Sequence, residues 1–94
     1  DSGLYLNYLG YILIDHNTDV KVGIKYIDKA LKLEPTSIYY LDSKAWGYYK
    51  LGKCKKAKKI INKVIKLDKT KNEEVINHFK IITKCVKNKT KGKN

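Results

Sequence analysis

At 94 residues, 43% hydrophobic and 32% charged, the chain is long enough for one small folded domain and too apolar for a disordered tract. Its formal net charge of +12 rests on 21 lysines and no arginine, which removes the side chain best suited to bidentate phosphate and base contacts. Lys, Asn, Ile and Tyr are all abundant and share AT-rich codons, so part of the charge is compositional rather than a built basic surface.

One proline and six glycines are few helix breakers, and the apolar spacing predicts five helices. The first runs over about 4–15, with its periodicity already under way at Leu4 and no signal peptide at residue 1. A piece of a longer protein is expected from this start. The second, about 19–33, has Asp19 as its cap and Pro35 as its stop, because residue 34 is pushed out of helical geometry. The third, about 38–51, has Ser37 as cap and Gly52 as the turn beyond it. The fourth covers about 54–67. The fifth, about 72–88, has Asn72 as cap and Glu73 and Glu74 in its first turn, where the helix dipole favours acids. Residues 89–94, "KTKGKN", read as a basic disordered tail. No apolar run is long enough to span a bilayer.

Sliding the sequence on itself by 34 residues lays "GIKYIDKALKLEP" (23–35) on "AKKIINKVIKLDK" (57–69). Lys25/Lys59, Ile27/Ile61, Lys29/Lys63, Lys32/Lys66 and Leu33/Leu67 are then identical, and Ala30/Val64 and Leu31/Ile65 are conservative. With one extra residue allowed in the first inter-helix turn, Leu6, Asn7, Gly10, Tyr11 and Leu13 match Leu41, Asp42, Ala45, Trp46 and Tyr48. Gly10 and Ala45 are small where two helices would cross closely, and Gly23 and Ala57 are small at the start of each second helix. A period of about 34 residues with two helices per unit is the tetratricopeptide value.

On these residues the chain resembles the tetratricopeptide repeat family: "YLNYLGYILIDHNTDVKVGIKYIDKALKLEP" and "YYLDSKAWGYYKLGKCKKA" look like the C-terminal repeats of bacterial members. The resemblance implies an all-α helix-turn-helix solenoid fragment over 1–88: repeat one at about 3–36, repeat two at about 37–70, and a capping helix at about 72–88. Lys44, Lys69 and Lys80 depart from the family's usual residues, and Lys80 marks the fifth helix as the end of a stack. Many relatives of this kind are envelope or periplasmic proteins, so bacterial periplasm or envelope is favoured over cytoplasm.

The family's first helices line a concave groove that binds a peptide or helix, which implies a protein-protein interaction scaffold without catalysis. By family position Asn7, Tyr11, Ile14 and Asp15 face that groove, with Tyr39, Asp42, Trp46, Tyr49 and Lys50 of the third helix and Asn77, Ile81 and Lys84 of the fifth. Tyr11, Trp46 and Tyr49 are the expected anchors, because aromatics bury much area at low entropy cost. The competing role for Trp46 and Tyr49 is core packing between helices. Carboxylate capture is not implied, since Asn7, Tyr11 and Asp42 stand where the basic clamp would be. The uncovered apolar side of the first helix implies further repeats before it, or self-association.

The fourth helix alternates Cys54, Ala57, Ile60, Ile61, Val64, Ile65 and Leu67 with Lys53, Lys55, Lys56, Lys59, Lys63, Lys66 and Lys69. These lysines read as the solvated convex wall of the stack. The alternative is a lysine-rich face for nucleic acid or anionic membrane, but no aromatic is interleaved to stack on bases. Nucleic acid is therefore not the expected partner. His16 and His78 have no ligand-spaced neighbours, and no phosphate loop or nucleophile arrangement is found, so no catalytic residue, metal or cofactor is expected. Cys54 and Cys85 fall toward one end of two antiparallel neighbours; they are either a disulfide of an oxidising compartment or two half-buried thiols.

Overall fold

The computed structural model describes residues 2–69 and 71–91. They form five helices: α1 (Ser2–Asp15), α2 (Val20–Leu33), α3 (Ile38–Lys50), α4 (Cys54–Leu67) and α5 (Glu73–Lys91). The expected caps do their work. Asp19 Oδ1 accepts from the Val22 N–H, Ser37 Oγ from the Tyr40 N–H, and Asn72 Oδ1 from the N–H groups of Glu74 and Val75. α5 continues to Lys91, so the first part of the expected disordered tail is helical; residues 92–94 lie outside the described residues.

The two inter-helix turns close alike but differ in length. After α3, Gly52 takes a positive φ of 80° while the Lys53 N–H reaches the Tyr48 carbonyl at 2.8 Å. After α1, Asn17 takes φ 55° and the Thr18 N–H reaches the Leu13 carbonyl at 3.1 Å, with Asp19 as the additional residue before α2. This is the one-residue insertion that the repeat alignment required.

The helices stack in two layers. α1, α3 and α5 form the inner layer, since α1 touches α3 and α3 touches α5. α2 and α4 form the outer layer and do not touch each other, so the stack is wider outside than inside. Between α1 and α2 the backbones nearly meet. A Cβ on Gly10 would lie 2.7 Å from the Gly23 carbonyl, and one on Gly23 would lie 2.7 Å from the Gly10 carbonyl. Only glycine fits at either site without moving a helix. Between α3 and α4 the equivalent residues are the fully buried Ala45 and Ala57.

Two apolar clusters follow. Ile14, Ile24, Ile27, Ala30, Tyr40 and Trp46 join α1, α2 and α3. Ala45, Ala57, Ile61, Val64, Val75 and Ile82 join α3, α4 and α5. The placing of Ile14 on the groove is corrected here: it is fully buried beside Gly23 and Gly47. α1 carries apolar residues on every face, so spacing alone did not single out the buried one.

Candidate functional site

The inner face of α1, α3 and α5 is built on a buried, hydrogen-bonded Asp–His pair and a stack of rings. The His78 Nδ1–H donates to both Asp42 oxygens, at 2.9 and 3.0 Å, and these side chains are only 6% and 4% exposed. The His78 ring stacks on Trp46, centroids 4.1 Å apart, and Trp46 stacks on Tyr49 at 4.7 Å. The Trp46 Nε1–H donates to Asp15 Oδ1 at 3.2 Å. Lys50 Nζ lies 5.5 Å from the Trp46 ring and donates to the Asp15 carbonyl at the end of α1, where a helix C-terminus favours a cation.

His78 thus joins α3 to α5, and its role was missed in the sequence. The pair is separated by 36 positions, and nothing in residue spacing marks it. The signal was available only in the repeat frame, where Asp42 puts a carboxylate on the inner helix at a position facing the next one.

A cavity of about 480 Å³ opens beside this pair, between the N-terminal halves of the three inner helices. Asn7 and Tyr11 of α1, Tyr39 and Asp42 of α3, and Asn72 and Glu74 near the start of α5 are among its walls. Burial first, then the carboxylates of Glu74, Asp15 and Asp42, push the Tyr11 hydroxyl pKa up, so it remains a neutral donor. Asn7 Oδ1 is buried and has no hydrogen-bond partner among the described residues. Asp42, Glu74 and His78 offer metal-capable atoms within 4.8 Å of one another, but both Asp42 oxygens already accept from the imidazole. Ser43, the hydroxyl on this wall, donates to the Tyr39 carbonyl at 3.1 Å.

Of the groove residues expected from sequence, Tyr39 is 57% exposed, Asn77 is exposed, and Asn7, Tyr11, Tyr49 and Lys50 are half-buried. Asp42 and Trp46 are buried and form the floor beneath the others. Ile81 and Lys84 lie with Tyr49 around a shallower cavity of about 390 Å³ at the opposite end.

The outer layer is different in kind. Lys53, Lys55, Lys56, Lys59, Lys63, Lys66 and Lys69 are all exposed. Lys58 instead turns inward, 4.2 Å from the Phe79 ring centroid, and donates to Thr83 Oγ1 at 2.7 Å, tying α4 to α5. Cys54 and Cys85 form a disulfide across the same two helices, with Cα atoms 6.0 Å apart. No helix among the described residues is long and apolar enough to cross a membrane.

No family model matches the chain. A TPR repeat-containing protein of Pseudomonas aeruginosa is 35% identical to it over 79 residues, which is 84% of this chain and 13% of that protein. The chain therefore spans a small fraction of its relative's length. The repeat offset of 34 residues, the paired helices with small residues at their crossings, and this similarity place the chain in the tetratricopeptide repeat family.

Proposed function

We propose that the chain holds a partner peptide or helix along the inner face of α1, α3 and α5, with Tyr39, Tyr11 and Tyr49 as its contact residues and no chemistry of its own. The observation that carries this reading is the ring stack Tyr49–Trp46–His78, held rigid from below by Asp42. Tyr49, the partly exposed ring of this stack, is held in place by the buried pair beneath it and loses little entropy when a partner is laid on it. The lysines of α4 lie on the other layer and serve solubility rather than recognition.

The test is a peptide selection against the intact chain, with affinities then measured for Tyr49→Ala and for a variant with lysines 55, 56, 59 and 63 changed to glutamine. Tyr49→Ala should weaken binding about thirtyfold, the effect of losing roughly 2 kcal/mol at a hot spot, and the lysine variant should bind as the parent does. Tight binding of duplex DNA that persists at 200 mM salt and is lost in the lysine variant would overturn the groove reading.

A second contact surface on α1 is formed by Tyr5 and Ile12, which are exposed and lie outside the wall of the cavity beside the Asp42–His78 pair. A preceding repeat would cover it in a longer protein, and a second copy would cover it in isolation. Light scattering over a range of concentrations should show mass rising toward a dimer, and a constant monomer would remove the self-pairing part of the proposal.

A further inference from the structure

We infer that the cavity between the N-terminal halves of α1, α3 and α5 takes a lysine or arginine side chain of the partner segment. This rests on the groove reading above and specifies what part of the groove recognises.

Three of the cavities among the described residues differ in the charge of their linings. The two near the α3–α4 turn and the far end of α5 are rimmed by Lys53, Lys55, Lys56, Lys84 and Lys89. The third has no lysine in its wall, although the chain contains 21. It has the carboxylates of Asp42 and Glu74, the amide of Asn7, and the rings of Tyr8, Tyr11 and Tyr39.

Asp42 in this wall is already engaged by His78, which leaves Glu74 as its open carboxylate. Asn7 Oδ1 is buried in the same wall, with no hydrogen-bond partner among the described residues. Glu74 projects from the first turn of α5, and its carboxylate is exposed toward solvent. A cation that donates hydrogen bonds complements the Glu74 carboxylate as no side chain of this wall does. The tyrosine rings add a preference for a cation with an apolar stem, because a ring face attracts the charge and packs against methylenes.

Size points the same way. About 480 Å³ is the volume of a small-ligand cavity, far more than a single ion occupies. A long side chain enters it with room to spare, and a guanidinium would meet the Glu74 carboxylate in the forked geometry that suits it. The positive outer layer does not forbid this. The exposed lysines of α4 lie on the opposite side of the stack, and at physiological salt their field decays within about 8 Å.

The experiment uses the peptides selected above, measured by fluorescence anisotropy against the native chain, Glu74→Gln and Tyr49→Ala. Glu74 is exposed near a helix start, so Glu74→Gln should keep the fold, and circular dichroism checks that it does. The selected peptides should share a lysine or arginine at one position. Glu74→Gln should weaken them about tenfold, and the same peptides with glutamine at that position should no longer respond to Glu74→Gln. Peptides that lose affinity with Tyr49→Ala but ignore Glu74→Gln would overturn the cation pocket and leave the groove. Peptides indifferent to both would overturn the two together. Stoichiometric Zn²⁺ uptake that is abolished by Glu74→Gln and blocks peptide binding would also overturn the inference, by assigning these carboxylates to a metal.

Discussion

In the α1–α2 hairpin the two backbones are in contact, with Gly10 and Gly23 each facing the other's carbonyl. In the α3–α4 hairpin the equivalent sites hold Ala45 and Ala57, and methyl groups stand between the helices. The second hairpin compensates on its open side. α5 packs on it through Val75 and Ile82, through Lys58 on Phe79, through the Asp42–His78 pair, and through the Cys54–Cys85 disulfide. One repeat pattern therefore closes in two ways. The first hairpin relies on close approach within itself, and the second on an added helix. That difference places the rigid, polar-bridged part of the inner wall at α3 and α5, where the stacked rings lie.

The largest break in this comparison should come from the disulfide. The ring it closes has a sequence separation of 31, for which chain entropy gives about 3–4 kcal/mol. Urea unfolding of the oxidised chain and of a Cys54→Ser/Cys85→Ser variant should differ by that order, with α5 losing hydrogen-exchange protection first. Equal stabilities would mean that side chains alone hold α5. Next in size, Gly10→Ala should cost about 2 kcal/mol, because the new Cβ would meet the Gly23 carbonyl at 2.7 Å and the helices must part. A neutral Gly10→Ala would remove the distinction between the hairpins. Smallest, the reverse change Ala45→Gly should cost only about 1 kcal/mol, mostly backbone entropy. A larger loss would show that the methyl contact in the second hairpin matters as much as the backbone contact in the first.

The fold was readable because its signals are local or periodic. Asp19, Ser37 and Asn72 announce helix starts, Pro35 and Gly52 announce stops, and the offset of Ile27 on Ile61 gives the repeat. Gly10 was informative because only the smallest residues permit a close crossing, and the structure adds Gly23 as its partner. The site was less readable. Ile14 was misplaced because α1 is apolar on every face. The Asp42–His78 pair was missed because it depends on how α5 leans on α3, which no short spacing encodes. The disulfide remained one of two options, since helix adjacency put Cys54 and Cys85 at one end without fixing their separation.

The Cys54–Cys85 link also alters how the chain would bear load. Tension applied across the ends passes from Cys85 directly to Cys54, and the residues between them lie outside the force path. Roughly 100 Å of extensible contour is withheld by that bypass, taking the reach of an extended chain over the closed ring. The hairpin made of α4 and α5 is therefore mechanically silent while the link is intact. A pull on the stack is borne first by α1, α2 and α3, where the hold between the first pair is two glycines pressed together.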